Sequence, residues 1–332
     1  MAEKIEFMAE TANIAKMADK LSNELFADFN WERVGEMNAN WDCVEPLHKK
    51  KTHPSDVVFF YDSPYARSTT YITCDLKSYA KGSISASKIQ DAVASLATSI
   101  RCAEKSQQWQ EKYIHPNVSP EICGLLFIYN HDGEYDSEFK SLLHGVNHAA
   151  LDIPRGSKLV VFGPHDIFWL NNVRHDIVHM RGLKALPDKE YCWFHYPNLD
   201  RRKKVQPDKG IAATLEMLTA PWIILEYHPP DGPVRKGFVI YYKRRGERIE
   251  EFLYLLDYLL HYQIPEHSTK VAIKTVDPHP NSHTLFGKAI DQYIRDNKAG
   301  PDLKQRLEAI EFSEISDLRI KFSAEQIGME RA

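Results

Sequence analysis

Cysteine, long apolar runs and excess positive charge are all scarce in this sequence, and each scarcity excludes a class of protein. Because there is no Cys-x-x-Cys pair, the sequence signals neither a disulfide framework nor a thiolate zinc site. The five cysteines are Cys43, Cys74, Cys102, Cys123 and Cys192. The N-terminus lacks the apolar core of a signal peptide, and no run approaches the ~20 apolar residues of a membrane span. We therefore expect a cytoplasmic protein without a membrane partner.

The charge balance limits the partners that the chain can attract. Its net charge is −4, so the chain as a whole is not drawn to a polyanion and any nucleic-acid contact must be local. Basic runs suited to such contacts lie at residues 48–51, 201–204 and 243–248, although such runs are more often solvated surface. With 332 residues, 43% hydrophobic and 27% charged, the composition is that of a folded protein of about two domains.

The N-terminal part has the pattern of a mixed sheet flanked by helices. A helix is predicted over residues 12–29, with Glu24 beside its apolar stripe. Two β-rich runs, 56–61 and 69–77, predict a hairpin. A second amphipathic helix is predicted over 85–101, followed by two continuous apolar runs typical of buried strands, at 122–130 and 158–163.

The remaining sequence predicts a second, smaller α/β domain. A basic, proline-containing segment at 191–210 is the predicted linker, which separates a first domain at 1–190 from a second at 211–332. The second domain is predicted to contain strands near 222–228, 237–242 and 271–276 and helices near 247–262 and 284–296. The sequence contains no visible internal repeat.

Two acidic residues of the hairpin are expected to lie side by side. If its two runs pair symmetrically about the loop, Asp56 falls opposite Asp75. Two adjacent carboxylates repel each other unless a positive charge lies between them. Lys77, on the same strand face as Asp75, is one candidate for that charge, and Mg²⁺ is the other. The same alternation predicts that Tyr71 and Thr73 share this polar face, with an apolar face opposite.

The stretches "HPSDVVFF" and "ITCDLKSY" resemble the two motifs of the PD-(D/E)XK nuclease superfamily, although the proline is displaced by one residue from the strict pattern. The resemblance implies an α/β fold over about residues 12–165, with a mixed central sheet flanked by helices in a restriction-endonuclease-like core. It also implies that Asp56 and Asp75 bind Mg²⁺, for which Mn²⁺ can substitute, and that Lys77 positions or activates the attacking water.

The same resemblance implies further site residues. An acidic residue of the first helix commonly completes the metal site in this family, which points to Glu24, with Glu32 and Glu36 as nearby alternatives. Some family members also contact the substrate from the helix after the second motif, and basic residues are needed to dock a phosphate. The predicted substrate contacts are Lys81, Lys88 and Gln90.

The expected function is Mg²⁺-dependent hydrolysis of phosphodiester bonds by a cytoplasmic nuclease, with DNA favoured over RNA on family grounds. A nuclease without methylase or helicase motifs often belongs to a bacterial antiviral or mobile-element defence system and works beside a second protein subunit. The C-terminal domain would then recognise the partner or the substrate. Two alternatives stay open: a catalytically inactive nuclease-like scaffold that binds nucleic acid or a partner subunit, and a metal-dependent hydrolase of a smaller phosphoester.

The sequence also contains weaker patterns. His144 and His148, like His175 and His179, are four residues apart, as zinc ligands on a helix would be, but ordinary histidines are the favoured reading because no HExxH motif is present. In the plainest alternative the hairpin lies on the surface and its Asp–Lys pair faces solvent.

Overall fold

A computed structural model of the chain describes residues 17, 19–64, 66–196, 212–230, 236–266 and 269–315. These residues form two compact units, of which the first ends at Phe168 and the second begins at Trp169. This boundary lies earlier than the domain end at residue 190 that the sequence predicts. No helix among the described residues is long and apolar enough to cross a bilayer.

The first unit is built on a mixed sheet. Its strands are β1 (Glu32–Val34), β2 (Ala39–Asp42), β3 (Thr52–Ser55), β4 (Val57–Asp62), β5 (Thr69–Tyr79), β6 (Pro120–Asn130) and β7 (Leu159–Phe162). The main sheet has the order β1-β4-β5-β6-β7, whereas β2 and β3 form a separate antiparallel ribbon. β1 and β5 run antiparallel to β4, and β6 and β7 continue in parallel with β5. The predicted mixed sheet is confirmed, but the first three strands were not predicted.

The helices of the first unit flank this sheet. A π-helical turn at Leu21–Leu25 continues into α1 (Phe26–Asp28), and residues 12–16 of the predicted first helix lie outside the described residues. The other helices are α2 (Ala86–Lys105), α3 (Gln107–Tyr113) and α4 (Phe139–Leu143). Ser85 caps α2, because its side chain accepts a hydrogen bond from the backbone N–H of Lys88.

Helix α2 packs its apolar stripe directly on the sheet. The stripe that the sequence predicts is buried, and it consists of Ile89, Val93, Leu96 and Ile100. The close approach requires Gly124 in β6, since a Cβ atom there would lie 2.6 Å from Ile100 Cδ1. The other face of the sheet is covered by aromatic rings, where Phe26 stacks on Trp31 at 4.4 Å and meets Phe59 edge-on at 5.1 Å.

The second unit contains its own five-stranded sheet. Its strands are β8 (Cys192–Phe194), β9 (Trp222–Tyr227), β10 (Gly237–Tyr242), β11 (Lys270–Val276) and β12 (Glu311–Ile315). Its helices are α5 (Pro164–Gly182), which begins before the boundary, α6 (Leu215–Thr219), α7 (Ile249–His261), α8 (Ser282–Asp296) and α9 (Pro301–Glu308). The predicted second α/β region is confirmed.

The predicted linker is only partly described. Residues 192–194 belong to β8 and pair with β9, so the start of that segment is part of a sheet rather than a linker. These residues form a strand because their backbone N–H and C=O groups find hydrogen-bond partners in β9, at the edge of the sheet. Residues 197–211, including the basic run 201–204, lie outside the described residues.

The two sheets share one topology. The second has the order β8-β9-β10-β11-β12, with β8 and β9 antiparallel, β9 and β10 antiparallel, and β11 and β12 continuing in parallel with β10. The first sheet shows the same succession of two antiparallel and two parallel pairings from β1 to β7. The sequence carries no visible repeat, yet the strand arrangement recurs.

Candidate active site

The β4–β5 hairpin has the predicted register. Its ladder runs from Asp62 opposite Thr69 to Val57 opposite Cys74. The ladder does not extend to Asp56, which lies directly before β4 and whose backbone N–H donates to the carbonyl of Cys74 at 3.3 Å. Asp56 therefore lies at the same end of the hairpin as Asp75, although the two residues are not paired in the ladder.

Hydrogen bonds hold both the backbone and the side chain of Asp56. Its Oδ2 accepts a hydrogen bond of 2.7 Å from the backbone N–H of Leu76, and its carbonyl accepts one of 2.9 Å from Asn38. Such bonds orient a carboxylate before any ligand arrives, because its position no longer depends on a free rotamer. The residue is therefore preorganised.

A buried polar network holds the residue before Asp56. Ser55 is fully buried, and its Oγ accepts hydrogen bonds from the indole N–H groups of Trp41 at 3.1 Å and Trp109 at 3.4 Å. The same Oγ lies 3.2 Å from Thr73 Oγ1 in the partner strand. Either hydroxyl can donate in this contact, so Ser55 links the two indole rings to β5. The network joins β3, β5 and α3 at the residue directly before Asp56.

The surroundings of Asp56 disfavour its charged form. Burial, followed by the nearby charge of Asp75, raises the pKa of Asp56 from 3.8 to about 6. The hydrogen bond from Leu76 and the charge of Lys77 act in the opposite direction but do not compensate. A positive ion between the two carboxylates would remove this penalty.

Asp75 and Lys77 form a close ion pair on β5. Asp75 Oδ1 lies 2.6 Å from Lys77 Nζ, and the two side chains are 16% and 32% exposed, so the pair borders solvent without facing it fully. Burial alone would lower the pKa of Lys77, but the charge and hydrogen bond of Asp75, together with the charge of Asp56, raise it. Lys77 is therefore an ammonium ion at neutral pH.

The prediction of one polar and one apolar strand face is wrong for the first half of β5. Tyr71 and Thr73 lie on the Asp75 face but are almost completely buried, and Tyr71 belongs to the core beneath α2. The cause is packing by other segments, because Tyr71 shares a core cluster with residues of α2 and Thr73 Oγ1 lies 3.2 Å from Ser55 Oγ of β3. Only the last residues of β5 remain half-buried on this face. The polar site is thus confined to the C-terminal end of β5, beginning at Asp75.

Glu24 is helical and partly exposed. Across the described residues, the ligand atoms of Glu24, Asp56 and Asp75 do not form a group with all members within 4.8 Å of one another. The structure thus brings Asp56 and Asp75 together with Lys77, but it does not gather the third predicted carboxylate into the same compact group.

The predicted substrate contacts lie near the N-terminal end of α2 in the sequence. Lys81 Nζ makes a 2.9 Å ion pair with Asp136. Lys88 is exposed, with its Nζ 5.3 Å from the centre of the Tyr79 ring, and Gln90 Nε2 donates to the carbonyl of Gly145 at 2.9 Å. All three lie just beyond the end of β5 in the chain, but two of them are engaged by protein groups.

A cluster of cysteine and histidine was missed by sequence reasoning. Cys43, His48, His53 and Cys102 place one ligand atom each within 4.8 Å of the others. The available signal was the regular spacing of Cys43, His48 and His53 at intervals of five residues, but the fourth member is distant in sequence. Among the described residues, the pairs at 144/148 and 175/179 are not part of such a group.

Comparison with known families gives one match. Residues 8–166, almost half of the chain, match the family model described as "GAPS4 protein PD-(D/E)XK nuclease domain". This range covers the main sheet of the first unit and both motif strands, and it supports a nuclease function. No curated protein and no solved structure matches the chain.

Proposed function

Since residues 8–166 match the model of a PD-(D/E)XK nuclease domain, we propose that this chain is a Mg²⁺-dependent nuclease that hydrolyses phosphodiester bonds in DNA. Asp56 and Asp75 hold the metal, and Lys77 acts on the attacking water. One observation carries the proposal: Asp56, directly before β4, lies close enough to Asp75 of β5 for their charges to interact, and Lys77 Nζ lies 2.6 Å from Asp75 Oδ1. Glu24 remains a candidate for the third ligand.

The donor atoms suit a hard divalent cation. Leu76 N–H occupies Oδ2 of Asp56 and Lys77 occupies Oδ1 of Asp75, which leaves one oxygen of each carboxylate without a hydrogen-bond partner among the described residues. Mg²⁺ binds one or two carboxylates and completes its shell with water and substrate phosphate, and Mn²⁺ accepts the same ligands. When bound, the metal would polarise the phosphoryl group and lower the pKa of a bound water.

Lys77 contributes as a cation. Because its pKa is raised, the amine is protonated at neutral pH and does not take a proton from water. It donates hydrogen bonds that orient the attacking water, and its charge offsets the negative charge that develops on the phosphoryl oxygens. Asp75 holds the ammonium group in place at 2.6 Å.

The substrate phosphates are proposed to dock on Lys81, Lys88 and Gln90. Lys88 is exposed and lies over the Tyr79 ring, so its amine is held beside the end of β5. Lys81 must leave Asp136 to bind phosphate, which is feasible because a surface ion pair contributes only about 0–1 kcal/mol. The choice of DNA over RNA rests on family grounds.

We propose that the second unit binds nucleic acid or a partner and does not cleave. The ladder between β9 and β10 ends at Trp222 opposite Tyr242. The next residues outward are Pro221 and Lys243, which correspond in position to Asp56 and Asp75 of the first unit. The backbone N–H of Lys243 donates to the carbonyl of Pro221 at 2.8 Å, which supports this pairing. Arg245 then occupies the place of Lys77. A proline and two cations cannot hold Mg²⁺, but the cations suit a phosphate backbone.

The double variant Lys243→Gln/Arg245→Gln tests this role. We expect its affinity for DNA to fall about tenfold at low salt, with a salt dependence shallower by about one to two ion equivalents, because phosphate contacts are lost. Lys288→Gln, a change at an exposed lysine of α8, is the matched control. Equal affinity of the double variant and the control, measured by fluorescence anisotropy across a salt series, would contradict the role.

The biological setting that we propose is antiviral defence in the cytoplasm, beside a second protein subunit. The support is the family of the matching model, which is defence-associated. Bacteria that express the chain with its genomic neighbours should plate a sensitive phage less efficiently than bacteria that express the Asp75→Asn chain. Equal plating would remove the support for this setting.

The nuclease proposal itself is tested by incubating the purified chain with linear DNA, circular DNA and RNA, in Mg²⁺ or in EDTA. We expect DNA cleavage in Mg²⁺, no cleavage in EDTA, and recovery when Mg²⁺ is added back in excess. Binding without cleavage under every condition would favour the inactive scaffold. Hydrolysis of a small phosphodiester in the absence of any cleavage of nucleic acid would favour the smaller-phosphoester hydrolase.

A further inference from the structure

Four side chains with soft metal-ligand atoms converge where the β2–β3 ribbon meets α2. Cys43 directly follows β2, His48 ends the 3₁₀ turn Pro46–His48, His53 lies within β3, and Cys102 lies in the last third of α2. One ligand atom of each is within 4.8 Å of all the others. Two sulfurs and two imidazoles form one of the ligand sets that zinc uses in closed structural sites.

The separations within the cluster are within a few tenths of an ångström of those of a tetrahedral ligand shell. Cys43 Sγ and Cys102 Sγ are 3.6 Å apart, and His48 Nδ1 lies 3.2 Å from Cys102 Sγ and 3.8 Å from Cys43 Sγ. With Zn–S near 2.3 Å and Zn–N near 2.1 Å, tetrahedral geometry places such atoms about 3.5–3.8 Å apart. A disulfide would instead require the two sulfurs to approach to about 2.05 Å.

The contacts of His53 are compatible with the tautomer that binds a metal through Nε2. Ser99 Oγ lies 3.1 Å from the carbonyl of Ser95 and 3.1 Å from His53 Nδ1. When the hydroxyl donates to the carbonyl it accepts from Nδ1–H, which places the lone pair on Nε2. His53 is completely buried, and its Nε2 has no hydrogen-bond partner among the described residues. A buried, unpartnered lone pair in a cluster of ligand atoms points to a missing cation.

The ring of His48 is oriented with Nε2 towards Asp152 and Nδ1 towards the cluster. Its Nε2 lies 3.4 Å from Asp152 Oδ2, and Asp152 is itself held by Arg101, whose Nε donates to Oδ1 at 2.8 Å. With Nε2 donating to the carboxylate, the Nδ1 lone pair faces Cys102. A carboxylate behind a metal-binding histidine is the usual arrangement at zinc sites, because it fixes the ring and raises its basicity.

We propose that Cys43, His48, His53 and Cys102 bind one structural Zn²⁺ ion in the first unit. Binding releases one proton from each thiol to solvent, and the two thiolates neutralise the charge of the metal, so the buried site carries no net charge. Four protein ligands leave no open position for a substrate. Thiolate and imidazole favour zinc over Mg²⁺, whereas the carboxylates of Asp56 and Asp75 favour Mg²⁺. The two sites therefore take different metals.

The zinc site supports the nuclease site without taking part in the chemistry. His53 is two residues before Ser55, which carries the buried network, and three residues before Asp56. The metal ties the β2–β3 ribbon to α2 through Cys102, so the chain that leads into Asp56 is held at a fixed position over the sheet. Its ligands are thus positioning residues.

The metal content of the full-length, untagged chain tests the site. By inductively coupled plasma mass spectrometry we expect about one zinc per chain. The double variant Cys43→Ser/Cys102→Ser should lose it, while Cys192→Ser, at a cysteine of the second unit, should retain it. Absence of stoichiometric zinc from a chain purified without chelators, or full zinc content in the double variant, would overturn the proposal.

Measurements on the unmutated chain keep the test valid even if the double variant fails to fold. Exchange of the bound metal for Co²⁺ should produce the strong visible absorption of a tetrahedral site and a thiolate-to-cobalt charge-transfer band in the near ultraviolet. A strong chelator should lower the melting midpoint by about 10 °C, and Zn²⁺ should restore it. Without chelator, thiol titration of the denatured chain should find all five cysteines. Only three would indicate a Cys43–Cys102 disulfide and would overturn the site, as would a Co²⁺ spectrum without the charge-transfer band.

Discussion

Asp75→Asn should reduce the rate of DNA cleavage by about a thousandfold or more. Asparagine keeps the shape of the side chain and can still accept a hydrogen bond from Lys77, but it removes the negative charge that holds the metal. Lys77→Met should cause a loss of about a hundred- to a thousandfold, because it removes the only cation paired with Asp75 in the described structure. Single-turnover cleavage of a labelled duplex in Mg²⁺ measures both effects.

The hairpin itself provides a matched control for these variants. Asp62 lies at the other end of the same ladder, where its Oδ1 accepts a hydrogen bond from Thr69 Oγ1 at 2.7 Å. Asp62→Asn also removes a carboxylate from this hairpin and retains an acceptor for Thr69, so it should cleave at nearly the parental rate. If Asp75→Asn and Asp62→Asn cleave equally fast, the assignment of the site is wrong.

Asp56→Asn should stabilise the metal-free protein while abolishing cleavage. At neutral pH the buried carboxylate is ionised next to Asp75, and its pKa of about 6 records the cost. Asparagine retains an oxygen that can accept from Leu76 N–H but carries no charge. In EDTA at pH 7.5 we expect the free energy of unfolding to rise by about 1–3 kcal/mol, or about 2–8 °C in melting midpoint by calorimetry.

The difference in stability between the parental and the Asp56→Asn chain should depend on pH, because Asp56 titrates and asparagine does not. The folded-state pKa of Asp56 lies above the ordinary value of 3.8, so the stability that the protonated group contributes is complete below about pH 4 and is lost as the pH rises through about 6. The advantage of the Asp56→Asn chain should therefore be small at pH 4 and develop between pH 4 and 7. Saturating Mg²⁺ should reverse the order at pH 7.5. An Asn chain that is less stable than the parent in EDTA at pH 7.5 would contradict this account.

The hairpin that carries the proposed site could be predicted from the sequence because its determinants are local. A short loop between two β-rich runs fixes the register of a hairpin, and this register brings Asp56 to the same end of the hairpin as Asp75. Lys77 follows from the two-residue period of a strand. The burial of Tyr71 and Thr73 could not be predicted in this way, because it depends on packing against α2 and on contact with Ser55 of β3.

The features that the sequence did not reveal depend on contacts between distant segments. Cys102 joins Cys43 only because α2 returns across the β2–β3 ribbon, and no spacing rule connects positions 59 residues apart. The recurrence of one topology in both units is likewise invisible, since strand order depends on pairing and not on residue identity. Where the first unit has Asp56 and Asp75, the second has Pro221 and Lys243.

Manganese binding tests the shared cation most directly. Electron paramagnetic resonance titration of the zinc-loaded chain with Mn²⁺ reports the ion itself and does not require a known substrate. The account predicts that the parental chain binds Mn²⁺, that Asp56→Asn and Asp75→Asn each weaken this binding at least about tenfold, and that Asp62→Asn leaves it unchanged. Unaltered Mn²⁺ affinity in both the Asp56 and the Asp75 variant would show that these two carboxylates do not hold a common metal ion.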